Sequence, residues 1–315
     1  ARDQLRVLAI GDLTGDGTDD LVLAAPNADG GTGRVYVVPG GQSFSDVDLA
    51  SPAITVFTIA GGAMGDELGQ VAAIGQVDGS GTLDLVVTAT EASPGGRSRA
   101  GEAYAFFGPI TGDLSIAAAG EDVRWQGGES SEQFGRAVAI ANVMGGTDSD
   151  VIFGASQFDR SPGVQAGGVL IWADAQSTGT TYDLNGGASA DALFLGREPA
   201  DLFGNVLIAA ELTGDSFADI VASASSADGP SNGRDRAGEA LGITGEMTPP
   251  AVTDMALKTP DFSVFGAAVR ASLGSHPSSL AVGDFDNDGN TDLCVGSFRA
   301  GGGFGQVDCF SALSF

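Results

Sequence analysis

The stretch Gly283-Asp284-Phe285-Asp286-Asn287-Asp288-Gly289-Asn290-Thr291-Asp292-Leu293 sets an oxygen-bearing side chain at every second position from Asp284. A glycine holds the sixth place of the loop, and apolar residues stand on either side. A chain builds a cage for a hard cation in this way, inside a connection between two strands. The phrase returns along the chain: copies begin at Gly11, Gly75, Ala141 and Ala210 as well as Gly283, at intervals of 64, 66, 69 and 73 residues. A near-constant period of this length marks a repeat architecture, in which each unit buries its faces only by stacking on neighbours.

The second repeat displays the grammar. Leu68 to Gly75 is a short apolar run, the acidic loop 76–84 follows, and Leu85 to Thr90 is a second apolar run. A polar stretch from Ser93 to Ala100 leads to a third strand, Gly101 to Gly108, and a fourth, Asp122 to Gly127. Third strands recur at Gly33 to Val38, Gly168 to Trp172 and Gly305 to Phe310. Phe134-Gly135, Phe203-Gly204 and Phe265-Gly266 open three first strands, with Leu68-Gly69 in the same slot. Runs of four to eight β-branched and aromatic residues bounded by Gly, Pro, Asp and Ser read as strands, and no useful 3.6-residue period is present. Four antiparallel strands per period do not form a stable sheet alone, but arranged radially each sheet covers the next. The expectation is an all-β chain forming one domain over residues 1–315, a β-propeller of five blades with loops at 12–20, 76–84, 142–150, 211–219 and 284–292. The chain starts in a first strand and ends in a third. The fifth blade therefore draws a fourth strand partly from Ala1 to Gln4, stays three-stranded, or belongs to a longer propeller.

The net charge is −27, and the five loops hold 15 of the 41 acids, so the acidity is general. Such a field repels nucleic acid phosphates and anionic headgroups, which excludes nucleic acid as a partner. No apolar run reaches the roughly 18 to 20 residues that a membrane-spanning helix needs, so no direct membrane insertion is expected. No basic stretch followed by an apolar one opens the chain at Ala1. Cys294 and Cys309 fall on the second and third strands of the last repeat and face each other if the hairpin turns near Gly301-Gly302. They form a disulfide or remain two buried thiols, according to compartment.

The loops differ in their ligands. Positions 1, 3, 5 and 9 supply side chains and position 7 a carbonyl, as at the start of an EF-hand loop; calcium suits such a set better than magnesium, which demands a strict octahedron. The fifth loop offers Asp284, Asp286, Asp288, the Asn290 carbonyl and Asp292. The first offers Asp12, Thr14, Asp16, the Thr18 carbonyl and Asp20. The fourth offers Glu211, Thr213, Asp215, the Phe217 carbonyl and Asp219, with Ser216 in the glycine slot. The second offers Gln76, Asp78, Ser80, the Thr82 carbonyl and Asp84, and so only two carboxylates. The third has Asn142, then Met144 and Gly146 where ligands should stand, and reads as an empty turn. These sets predict about two to four calcium ions, acting to hold the loops in place. Against this stands plain turn chemistry, in which Asp and Asn cap backbone N–H groups.

The order Phe-Gly, apolar strand, Gly-Asp, acidic loop, Asp-Leu-Val and a Gly-Ala-Pro-like ending resembles the FG-GAP repeat of integrin α-chain propellers. The first repeat carries it as Gly11-Asp12 … Asp20-Leu21-Val22-Leu23-Ala24-Ala25-Pro26, the third as Val151-Ile152-Phe153-Gly154-Ala155-Ser156, the fifth as Leu293-Cys294-Val295-Gly296-Ser297. The resemblance departs from integrins in its number of repeats. It implies an extracellular or cell-surface recognition module of the kind found on bacterial surfaces. It also implies that the metal loops lie on the face opposite the ligand.

Three function classes follow. The first is an adhesion module, part of a larger surface protein, whose ligand is a protein or polysaccharide at a propeller face. The second is a lectin with sugar pockets built from aromatics such as Trp125, Trp172 or Tyr104, for which packing inside the blades is the competing reading. The third, a hydrolase, has little to build on. The single histidine, His276, stands before a proline in a loop, and no nucleophile elbow, Walker loop or zinc-protease motif is present. No catalytic residue is expected. The polar connections from Asp228 to Ala237 and from Ser93 to Ala100 are candidate partner surfaces on one rim.

Overall fold

The computed structural model describes residues 4–43, 47–161, 164–173, 175, 177–300 and 305–311. Its main elements are strands, grouped in two compact units: Ala1–Ser131 with Asp174–Ser189, and Glu132–Ala173 with Ala190–Phe315.

The first unit holds two sheets. Arg6–Gly11, Asp20–Ala25, Arg34–Val38 and Phe57–Ala60 form an antiparallel meander in chain order. Ala72–Gly75, Asp84–Ala89, Glu102–Phe106 and Val123–Gln126 form the next. The second unit repeats the plan. Phe134–Ala141, Asp150–Ala155, Gly168–Trp172 and Ala192–Leu195 make the third sheet. Phe203–Ala210, Asp219–Ala224, Glu239–Ile243 and Phe262–Phe265 make the fourth. Leu280–Gly283, Asp292–Ser297 and Gln306–Phe310 make a fifth of three described strands. The possible contribution of Ala1 to Asp3 to that sheet, and the hairpin turn at Gly301-Gly302, lie outside the described residues.

Second strands show why the pattern works. Asp84–Ala89, Asp150–Ala155 and Asp219–Ala224 are buried at every position, so their apolar side chains serve both faces of the sheet. First strands are less completely buried and carry the loop, their last two or three residues in the third and fourth sheets being half-exposed. In the first unit Leu13, Val22, Val35, Ile59, Leu85, Val87 and Phe106 share one core. In the second, Ile152, Val169, Phe203, Leu207 and Leu241 belong to another.

Three sheets gain a fifth strand that the four-strand period does not announce. Leu114–Ser115 pairs parallel with Phe57–Ala60, and Thr180–Asp183 with Val123–Gln126, both inside the first unit. Val252–Asp254 pairs parallel with Ala192–Leu195 in the second. Each added strand comes from the third-to-fourth connection of the following repeat and covers an outer edge that would otherwise expose free N–H and C=O groups.

The Phe-Gly reading needs one correction. Phe265 ends the fourth strand of the fourth sheet and does not open the fifth. The Gly266 N–H donates to the Gly238 carbonyl, as Gly61 does to Gly33, Gly127 to Gly101 and Gly196 to Gly167. The opening slot of the fifth repeat is Leu273-Gly274. Gly274 has φ +69°, like Gly69 at +99°, Gly135 at +79° and Gly204 at +80°. In the second and fourth of these slots the N–H groups of Leu68 and Phe203 donate to Thr32 and Ala166 of the preceding sheet, and Leu273 does the same to Ala237.

Both tryptophans serve packing. Trp125 is 0 % exposed and stacks on Tyr182, with ring centroids 6.0 Å apart. Trp172 is 1 % exposed and meets Phe134 and Phe153 edge-on. Tyr104 is 1 % exposed too, its hydroxyl donating to Glu102 Oε2 at 2.6 Å. None of the three aromatics considered for a sugar pocket presents a surface to a ligand. Cys294 and Cys309 are directly opposite in the antiparallel pair and form a disulfide.

Candidate metal centre

Register gives all five loops one frame. The residue before each loop pairs with the aspartate that ends it: Gly11 with Asp20, Gly75 with Asp84, Ala141 with Asp150, Ala210 with Asp219, Gly283 with Asp292. The ninth position is therefore the first residue of the second strand, buried at the base of its loop, with Asp20 and Asp84 at 0 % exposure.

That aspartate does the same work everywhere. One oxygen accepts the N–H of the second loop residue: Leu13 to Asp20 at 2.8 Å, Val77 to Asp84 at 2.6 Å, Val143 to Asp150 at 2.8 Å, Leu212 to Asp219 at 2.9 Å, Phe285 to Asp292 at 2.7 Å. In four loops the third residue adds its N–H: Thr14, Asp78, Met144 and Asp286. In three, the second oxygen accepts an N–H from a glycine just after the third strand: Gly40 to Asp20, Gly108 to Asp84, Gly245 to Asp219. Desolvation pushes the Asp84 and Asp219 carboxyls above the usual range, and these N–H bonds oppose the rise. The ninth residue is thus a turn anchor in every loop, a role additional to the ligand role its spacing suggests.

Two further positions were not singled out by the alternating pattern. The second residue plugs the core: Leu13, Val77, Val143 and Leu212 are buried, each contributing roughly 1.5–3 kcal/mol of apolar burial, whereas Phe285 is 57 % exposed. The fourth is left-handed as well as the sixth. Gly15, Gly79, Gly145, Gly214 and Asn287 have φ between +61° and +82° at position 4; Gly17, Gly81, Ser216 and Gly289 lie between +82° and +92° at position 6.

The first-position residue separates the loops. In the first, Asp12 accepts N–H groups from Gly15, Asp16 and Gly17, and Asp16 accepts from Thr18. Thr14 Oγ1 reaches Asp20 Oδ1 at 3.4 Å. In the fourth, Glu211 accepts from Thr213, Gly214 and Ser216, and Asp215 from Phe217. Desolvation raises the Glu211 carboxyl, but the N–H groups of Gly214, Ser216, Thr213 and Asp215 together hold it below its ordinary value. In the fifth, Asp284 accepts from Asp288 and Gly289, Asp286 from Asp288, and Asp288 from Asn290. The second and third loops carry carboxamides there, Gln76 and Asn142.

Among the described residues, one group of three acids brings its oxygens within 4.8 Å of one another: Asp284, Asp286 and Asp292. Asp292 is 2 % exposed, and its Oδ1 has no hydrogen-bond partner among the described residues. A buried carboxylate oxygen with no donor, beside two further carboxylates, fits a cation. The donor set fits calcium: Asp284, Asp286 and Asp292 would supply converging carboxylates, and Asp288 and the Asn290 carbonyl hold the remaining positions of the ligand spacing.

Residues 6–38, spanning the first loop and its three strands, match the family model of the FG-GAP repeat. The first repeat is an FG-GAP repeat by this match, and the same loop register recurs in the other four sheets. The comparison with curated proteins returned no match.

Proposed function

We propose that this protein is a calcium-holding, extracellular recognition module whose five sheets are the blades of one propeller. The observation that carries the calcium reading is the fifth loop, where the carboxylates of Asp284 and Asp286 lie beside that of buried Asp292, whose Oδ1 has no donor among the described residues. The first and fourth loops share its frame and its acidic first position, and complete a set of three. Calcium, when bound, neutralises the converging carboxylates and ties the loop ends together. The meander order, the common loop register and the parallel strands lent from repeat to repeat support radial stacking.

The reading is one of recognition and not catalysis. His276, the one histidine, is exposed and accepts a backbone N–H from Ser278 at its Nδ1. In each sheet the second-to-third connection lies at the end opposite the acidic loop, so Ser93 to Ala100 and Asp228 to Ala237 are free to meet a protein or polysaccharide while the metal loops face away. The disulfide supports an oxidising, extracellular setting, and no described helix is long and apolar enough to cross a membrane. The adhesion reading is favoured over a lectin because Trp125, Trp172 and Tyr104, the aromatics considered for sugar stacking, are buried.

Calorimetric titration of chelator-stripped protein with calcium, then magnesium, tests the metal reading. The parent is expected to take up calcium with little response to magnesium, and Asp286→Asn to lose one equivalent. Unchanged uptake in that variant would refute the assignment of the fifth loop.

A further inference from the structure

We infer that the second loop carries its own substitute for a cation, the carboxamide of Gln76, and that the residue type at the first loop position decides which loops take calcium. The inference rests on the calcium reading of the fifth loop and extends it to a loop that the same ligand spacing would otherwise enrol.

Gln76 Nε2 donates to the Thr82 carbonyl, the seventh-position oxygen that the spacing offers to a metal. Its Oε1 accepts the Gly81 N–H at 3.1 Å. This second bond sets the orientation of the amide, because an N–H can only be met by the oxygen; the nitrogen must then face Thr82. Asp12, Glu211 and Asp284 in the same slot are carboxylates, which only accept, and all three take backbone N–H groups. None can satisfy a carbonyl that points into the loop.

A carboxamide meets both needs at once, accepting at position 6 and donating at position 7. The rest of the second loop is satisfied internally: Asp78 accepts from Ser80, Ser80 Oγ from Thr82, and both oxygens of Asp84 take backbone N–H groups. The third loop also carries a donating amide in this slot, but Asn142 Nδ2 reaches the carbonyl of Gly146 at 3.2 Å, two positions earlier in the loop. Where the first residue is an amide, a loop carbonyl receives an N–H. Where it is an acid, that position is left to a cation.

Gln76→Glu tests this at constant side-chain size, and Glu211 shows that the slot accepts glutamate. Parent, Gln76→Glu, Asp78→Asn and Asp286→Asn are titrated with calcium, and each is melted in chelator and in calcium. Gln76→Glu should gain one calcium equivalent over the parent, melt lower than the parent in chelator, and recover in calcium. Asp78→Asn should leave parental uptake unchanged. Loss of an equivalent in Asp78→Asn, or a folded Gln76→Glu that gains none, overturns the inference. Asp286→Asn reports separately on the fifth loop: if it loses no calcium the underlying metal reading has failed, whatever Gln76→Glu does.

Discussion

Replacing Asp201 with asparagine will stabilise the protein above neutral pH and flatten its stability profile. Asp201 lines a cavity of about 680 Å³ in the second unit together with Arg197, Glu198, Asp228, Glu239 and Lys258. Desolvation, followed by the negative charges of Glu198, Glu239 and Asp228, pushes its carboxyl up to about 7, with Arg197 pulling the other way. Arg197 gives little relief because it is committed to Glu239, Nη1 to Oε1 at 2.5 Å, and Glu239 is itself buried. In the unfolded chain the same carboxyl titrates near 3.9. Between about pH 4 and 7 the folded protein holds a proton that the unfolded chain has released, so stability is greatest below the unfolded value and falls as pH rises through the native one. A shift of about three units corresponds to about 4 kcal/mol at about 1.4 kcal/mol per unit. Asp201 is partly exposed, and solvent screening brings the expected effect to about 1–2 kcal/mol. Urea unfolding of parent and Asp201→Asn at pH 5 and pH 8.5 reads it directly: the parent loses about two thirds of that amount between the two conditions and the variant does not. An equal loss in both would refute the reasoning and shift the titration to other acids whose carboxyls burial raises, such as Glu239.

Two further outcomes separate loop strain from loop chemistry. Ser216 sits at φ +82° in the position that glycine fills in the first, second and fifth loops; Ser216→Gly should relieve left-handed strain and stabilise by about 1 kcal/mol, read by denaturant midpoint. Asp150 accepts the N–H groups of Val143 and Met144, both at 2.8 Å, in the loop with no cation set. Asp150→Ala should cost about 2–4 kcal/mol for two orphaned donors, equally in calcium and in chelator.

The period was legible because the loops repeat in register. An apolar residue or glycine pairs with an aspartate at the mouth of each, and the apolar run after that aspartate fills the sheet interior. What escaped the reading has a physical reason in each case. Leu114–Ser115, Thr180–Asp183 and Val252–Asp254 are short and pair with strands of the preceding repeat, so neither alternation nor proximity in the chain announces them. Phe265-Gly266 looks like an opening pair, yet it closes a fourth strand, and what marks Leu273-Gly274 as the true opening is backbone geometry that spacing does not carry: Gly274 is left-handed and Gly266 is not.

The same limit governs the candidate metal centre. Glutamate and glutamine have one length and nearly one shape, and a ligand count treats the oxygen of either as a donor to a cation. Their difference lies in the second atom of the terminal group, which accepts in one and donates in the other. Whether that atom helps a metal or replaces it depends on what it faces, and in the second loop it faces the Thr82 carbonyl. Spacing can enrol a loop as a candidate, but on the reading proposed above cation competence turns on whether the seventh-position carbonyl is already satisfied. On that criterion the acids of the first, fourth and fifth loops and the amide of the second belong to two chemical classes sharing one backbone frame.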